Sequence, residues 1–133
     1  MIIGVGTDLV ETGRLESLWA RWGVRLAQRI LGPQEQRAFF SRLEQGPHGE
    51  PIALRYLAKR FAAKEAVGKA LGCGLSSPMS LHSLEVLNDE RGAPKPLAHG
   101  RLAEYLAQRG WVIHLSLSDE RSLVQAFAVV EGV

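Results

Sequence analysis

The sequence has a single cysteine, Cys73, among 133 residues. An internal disulfide and a CxxC metal or redox site are therefore excluded, and the composition fits a reducing cytoplasm. Net charge is also scarce: 16 Lys and Arg against 14 Asp and Glu leave a formal +2. That surplus argues against a general nucleic-acid binder, although a local basic cluster can still meet an acidic partner. No apolar run is long enough to span a bilayer. The first residues lack a basic stretch followed by a long apolar run, so no secretory signal is expected. There is no internal repeat, and no P-loop, dinucleotide fingerprint, HExxH or GxSxG motif. Gly4-Val5-Gly6 is too short for a Gly-rich phosphate loop. His48, His82 and His99 lack metal-ligand spacing, and His114 reads as a strand residue. Ser116 and Ser118 have no base nearby in sequence, so no serine nucleophile is expected.

What is present is one globular domain over residues 1–133, with 46% hydrophobic and 23% charged residues. Its organising stretch is Pro51 to Gly72, which the spacing predicts to be a long helix. Pro51 suits a first turn and Gly72 a C-terminal stop, with many strong helix formers between them. Gly68 is the exception and marks a close packing contact. At about 100° per residue, Leu54, Ala58 and Phe61 share one face, with Glu65 near its middle and Lys69 beside it. Tyr56, Ala63, Val67 and Ala70 form a second apolar stripe. Arg55 and Lys59 fill one flank, Arg60 and Lys64 the other. Two apolar stripes describe a helix buried on two sides. A carboxylate on such a stripe is costly unless compensated. Glu65 and Lys69 read either as a helix pair at i,i+4 or as a metal-binding carboxylate beside a phosphate-binding lysine. The second reading needs another carboxylate from elsewhere.

Ile2 to Val10 is β-branched and reads as a strand. Asp8, near its end, is either a helix cap or a carboxylate aimed at a cleft. Arg14–Gly23, Val24–Leu31 and Pro33–Leu43 are helical by their apolar spacing. Arg14, Arg21, Arg25 and Arg29 make this region basic, either as a solvated face or as a docking patch for an acidic protein. Gln45–Glu50 reads as a loop and Cys73–Ser80 as a turn-rich connector. His82–Asn88 reads as a strand, Asp89–Pro96 as a turn and Ala98–Arg109 as a helix. Trp111–Ser118 and Leu123–Glu131 read as strands separated by Asp119–Ser122, hence a β-hairpin. This order predicts an α+β fold with an antiparallel sheet packed on the long central helix.

IGVGTDLVE at Ile3–Glu11 and RFAAKEAVGKALGCGL at Arg60–Leu75 resemble the paired motifs of holo-acyl-carrier-protein synthases, the small bacterial 4′-phosphopantetheinyl transferases. HLSLSDE at His114–Glu120 and the closing AFAVVE resemble that family's C-terminal hairpin, so the likeness covers essentially the whole chain. It implies a Mg²⁺-dependent enzyme of fatty acid biosynthesis in the cytoplasm. Such an enzyme moves 4′-phosphopantetheine from coenzyme A to a serine of apo-acyl carrier protein and releases adenosine 3′,5′-bisphosphate. Asp8 and Glu65 match the metal ligands, a number of protein carboxylates that suits Mg²⁺. Lys69 would neutralise charge on the phosphates. Glu65 or a metal-bound water would take the serine proton. Arg60 and Lys64 resemble residues near the coenzyme A phosphates, and Gly92 and Pro94 match a Gly-x-Pro turn near the adenine. Arg14, Arg21, Arg25 and Arg29 would dock the carrier. Many members carry a histidine where this chain has Asp119. The likeness further implies a homotrimer with active sites where subunits meet, and neither a nucleic acid nor a membrane as partner. The other classes to weigh are a non-catalytic carrier-binding module and a Mg²⁺-dependent pyrophosphate hydrolase.

Overall fold

The computed structural model describes residues 1–133. Strand β1 (Ile2–Glu11) leads into helices α1 (Thr12–Trp22), α2 (Val24–Ile30) and α3 (Pro33–Leu43). A 3₁₀ turn at Gly46–His48 precedes the long helix α4 (Gly49–Leu71). Then come β2 (Leu84–Asn88), β3 (Pro94–Ala98), α5 (Gly100–Arg109), β4 (Val112–Glu120) and β5 (Leu123–Glu131). Strands β1, β5 and β4 form an antiparallel sheet in that order, and β2 pairs with β3 in a separate two-stranded sheet. The expected α+β architecture is therefore present, with two sheets rather than one. The segment read as a turn over Asp89–Pro96 contains the start of β3. Its prolines at 94 and 96 signal a break in sequence, yet an edge strand tolerates them because it need not donate on its open side.

Helix α4 starts two residues earlier than Pro51 suggests and ends at Gly72, which takes a left-handed φ of 80°. It packs against both β1 and β5. Glycines set the β1 distance: a Cβ on Gly4 would stand 2.0 Å from the Ala70 carbonyl oxygen, and one on Gly6 2.1 Å from that of Ala66. Gly68 plays the same part toward the loop after the helix, where a Cβ would meet the Gly74 carbonyl at 2.3 Å. From β5, Val124, Ala126, Ala128 and Val130 complete the buried face of the sheet. Both apolar stripes of α4 thus lie in one hydrophobic cluster of 27 residues, except Phe61, which is partly buried against it.

The flank of α4 carrying Lys64 is buried as well. Lys64 is fully enclosed, and its Nζ donates to Glu35 Oε1 at 2.7 Å and to the carbonyls of Ile30 and Leu81 at 2.6 and 2.8 Å. Glu35, also fully enclosed, accepts the backbone N–H groups of Gly32 and Val86. Glu85 accepts the N–H groups of Gln34 and Glu35 at the start of α3, and His99 Nε2 lies 2.8 Å from it. One lysine and two carboxylates thus join α3, α4 and β2. Burial pulls the Lys64 ammonium below its ordinary range, against the charge of Glu35.

Removing one partner of such a pair strands the other charge, a loss of about 3–5 kcal/mol. Lys64→Ala is expected to lower stability by that order in urea unfolding. Lys69→Ala, on the exposed line of the same helix, should stay within about 0.5 kcal/mol of the parent. Equal midpoints for the two variants would contradict the role given to Lys64.

Candidate active site

Alternation along β1 turns Gly4, Gly6, Asp8 and Val10 toward α4 and leaves Val5, Thr7 and Leu9 exposed. The two glycines draw the strand against the helix, and Asp8 is the next side chain on that face. Lys69 meets it there: its Nζ donates to Asp8 Oδ1 at 3.1 Å and to the Thr7 carbonyl at 2.8 Å. The Lys69 side chain remains 52% exposed. Glu65, one turn earlier on α4, is half-buried. Burial raises its proton affinity, the charge of Asp8 raises it further, and Lys69 and Arg14 oppose both. The helix-cap reading of Asp8 does not hold: α1 has Glu11 at its N-cap and no side-chain cap.

The charge of Asp8 beside Glu65 makes a negatively charged site that a cation would relieve. No group of three or more His, Cys, Asp or Glu side chains gathers anywhere in the chain. Asp8 and Glu65 therefore suit a hard cation that takes few protein carboxylates and fills its octahedron with water and phosphate oxygens, the habit of Mg²⁺.

A cavity of about 370 Å³ opens beside the N-terminal half of α4, lined among others by Arg60, Gly92 and Pro94. Arg60 is buried and satisfied: Nε donates to the Val86 carbonyl, Nη2 to Asn88 Oδ1, and its guanidinium lies 4.0 Å from the Tyr56 ring centroid. Gly92 takes a φ of 81° in the β2–β3 turn. Asp89 fixes that turn by accepting the N–H groups of Arg91 and Ala93. Lys64 does not join this cavity. Its expected place beside coenzyme phosphates is corrected by its complete burial and its three bonds to Glu35, Ile30 and Leu81. Nor does the cavity lining include Asp8, Glu65 or Lys69.

Arg55 and Lys59, read in sequence only as a charged flank, also line this cavity. Both bind Asp119, at 3.0 and 2.8 Å. The Lys59 hydrogen bond, with the charges of both cations, holds the Asp119 carboxyl below its usual range. Asp119 was expected between the strands; it belongs to β4, and the turn is Arg121–Ser122 alone. Arg121 supplies the positive φ, 53°, that a two-residue hairpin takes at its first turn position. The signal for the cluster was the i,i+4 spacing of two like charges, which calls for a counter-ion.

Arg14, Arg21, Arg25 and Arg29 are all exposed on α1 and α2. None takes part in the chain's six ion pairs. Between the helices lies an apolar groove of about 530 Å³ lined by Leu18, Trp22, Leu26, Ile30, Phe61 and Leu81, with Arg25 and Arg29 at its walls. Phe61, at one wall of the groove, is one turn before Glu65 on α4.

Residues 4–127 match the profile of the 4′-phosphopantetheinyl transferase superfamily. A holo-[acyl-carrier-protein] synthase of Leptothrix cholodnii is 46% identical over 98% of this chain and 97% of its own length. The crystal structure of holo-[acyl-carrier-protein] synthase from Neisseria meningitidis superposes with a TM-score of 0.87 at 38% identity, covering 98% of this chain and 99% of that one. A holo-(acyl-carrier-protein) synthase from Bacillus anthracis, solved in complex with CoA (3′,5′-ADP), superposes with a TM-score of 0.80 at 30% identity, covering 100% and 99%. The chain belongs to the 4′-phosphopantetheinyl transferase superfamily, and within it to the holo-[acyl-carrier-protein] synthases.

Proposed function

We propose that this single domain, residues 1–133, transfers 4′-phosphopantetheine from coenzyme A to a serine of apo-acyl carrier protein in the cytoplasm, serving fatty acid biosynthesis. The observation that carries the reading is the Asp8–Glu65–Lys69 constellation on the closely packed β1 and α4. Asp8 and Glu65 would hold Mg²⁺, whose charge, when bound, offsets that of the pyrophosphate. Lys69, with its ammonium fixed by Thr7 and Asp8 and otherwise open, would hold the phosphate oxygens on which charge accumulates. The serine Oγ forms the new bond to the phosphopantetheine phosphorus, the bond to the nucleotide phosphate breaks, and adenosine 3′,5′-bisphosphate departs. The serine proton needs an acceptor, which Glu65 or a water held at the site would supply.

The nucleotide would lie in the cavity of Arg60, Gly92 and Pro94. Because that lining excludes Asp8, Glu65 and Lys69, one chain offers the two halves of a site apart from one another. A second observation supports a trimer with sites shared between subunits. The outer face of the three-stranded sheet exposes Val5 (56%), Leu9 (61%), Val112 (54%), Leu123 (39%) and Phe127 (44%). Ordinary two-layer packing would make that face polar. The apolar stripes of α4 are largely buried within the chain and do not supply this interface.

Incubation with coenzyme A and Mg²⁺, with and without apo-acyl carrier protein, tests the reaction. Adenosine 3′,5′-bisphosphate should form only when the carrier is present. Asp8→Asn and Glu65→Gln should each lose most turnover with circular dichroism unchanged. Nucleotide release without carrier would instead identify a hydrolase, and no release at all a binding module.

The exposed arginines of α1 and α2 suit an acidic carrier. Rim charges act through association over roughly a Debye length of 8–10 Å. Reversing Arg14 and Arg21 to Glu should raise KM for carrier severalfold and leave KM for coenzyme A unchanged. An unaltered carrier KM would return these residues to a merely solvated face.

Assembly has its own test. Placing Glu at both Val5 and Phe127 should convert a trimer into an inactive, folded monomer by light scattering. A parent protein that is monomeric and fully active at micromolar concentration would rule out shared sites.

A further inference from the structure

The outer face of the three-stranded sheet consists of rows that cross its strands. Pairing aligns Val5, Val129 and His114 in one row and Ile2, Glu131 and Val112 in the next, at the end where β1 begins. His114 and Glu131 are the only polar side chains in these two rows, and they are bonded to each other, with His114 Nε2 3.0 Å from Glu131 Oε1. The next two rows, Thr7, Phe127 and Ser116, then Leu9, Gln125 and Ser118, carry no charge. The other charges of the face, Glu11 and Glu120, flank Leu123 at the far end.

In the single chain both partners are about half exposed, at 55% and 52%. Water solvates them there, and such a pair contributes little to stability. Covering the face changes the balance. Glu131 would then lie among Ile2, Val112 and Val129, where a carboxylate without a counter-charge is costly. His114 is its one ion-pair partner in the chain. A protonated ring supplies the counter-charge, whereas a neutral ring leaves Glu131 uncompensated. The adjoining elements add few charges. Strand β3, beside β4, carries Lys95 alone, which forms no ion pair. Arg109 of α5 lies over the Tyr105 and Trp111 rings. The Met1 ammonium is bonded to the Gly132 carbonyl.

We propose that His114 and Glu131 make assembly through this face proton-linked, so that copies of the chain associate more tightly when His114 is protonated. The proposal rests on the reading of the face as the trimer interface. Association takes up a proton at each pair. A histidine ordinarily changes charge near pH 6.5, while carboxylates and lysines titrate well away from that range. Association is therefore strongest on the acid side and weakens as pH rises through neutrality. With sites shared between subunits, acidification favours the assembled form. The competing account is a surface pair that assembly leaves in water.

Sedimentation velocity over a dilution series reads the concentration at which half the chains are assembled. It would be run at about pH 6 and about pH 8, in one fixed urea concentration below unfolding, with circular dichroism as the check on folding. For the parent, that concentration should be roughly tenfold or more higher at the alkaline pH, as expected for about one proton per pair. The double variant His114→Gln/Glu131→Gln should assemble equally at both. It keeps the Met1 α-amino group, a type that titrates near pH 8, and so isolates the pair. Glu131→Gln alone should reverse the dependence, because protonated His114 is then the uncompensated charge. A parent trimer with the same midpoint at both pH values, or a double variant that keeps the parent's shift, would overturn the proposal and leave the trimer standing. A parent that is monomeric at both would remove the trimer reading, and this linkage with it.

Discussion

The Lys64 ammonium inside the protein is the constraint on which the placement of the other elements depends. An unpaired charge at that depth would cost several kcal/mol, so its three acceptors must be where they are. Ile30 closes α2, Glu35 belongs to the first turn of α3, and Leu81 precedes β2. The carboxylate of Glu35 reaches onward to the Val86 N–H. Strand β2 is thereby set against α4 in the register that lets Arg60 bond the Val86 carbonyl and Asn88. The β2–β3 turn with Gly92 follows directly from that strand. A buried polar network of this kind fixes orientation because each member is costly to leave unpaired, and no buried side-chain nitrogen or oxygen lacks a partner here.

The second constraint is steric. Gly4 and Gly6 let β1 approach α4 until ordinary side chains would collide with helix carbonyls. The short contact then decides the chemistry of the next inward residue. Asp8 is brought within a hydrogen bond of Lys69 and close enough to Glu65 for its charge to raise that group's proton affinity. With bulkier residues at 4 and 6 the strand would stand off, and the same three side chains would be isolated surface charges.

Much of this was legible in the sequence, for reasons that differ by element. The helices follow from local periodicity, and α3 has the bounds its spacing gives. Gly68 was read correctly as a packing contact because a glycine amid strong helix formers needs a reason. Glu65 stood out because it lies on an apolar line. Gly4-Val5-Gly6 could be excluded as a phosphate loop, but its positive role depends on where α4 lies, which no local pattern states. Lys64 was misplaced for a related reason. On a helical wheel it resembles any flanking lysine, and only Glu35, 29 residues away, distinguishes a core ion pair from a solvated charge. Strand β3 was hidden by its prolines, since its pairing with β2 is nonlocal. Asp119 lies in the strand by its pairing with Val124, and its ion-pair partners, Arg55 and Lys59, come from α4, which no local pattern states.

These placements also resolve an apparent conflict between a formal charge of only +2 and a chain that is read as acting on an anionic coenzyme and an acidic protein. Net charge governs the distant field, whereas recognition depends on where the charges stand. Lys64 is withdrawn into the core against Glu35 and contributes nothing to the surface. Lys69 is the cation left open beside two carboxylates. Arg55 and Lys59 share one counter-ion at the mouth of a cavity. The arginines of α1 and α2 have no ion-pair partner in the chain. Carboxylates are distributed in the opposite sense: Glu35 and Glu85 are buried in the network, and Asp119 is clamped between two cations. The exposed balance near the groove and the cavity is therefore more positive than the total suggests. Burial, more than composition, sorts the lysines: Lys64 and Lys69 are five residues apart on one helix, and their acceptors make one a structural tie and leave the other half exposed beside Asp8.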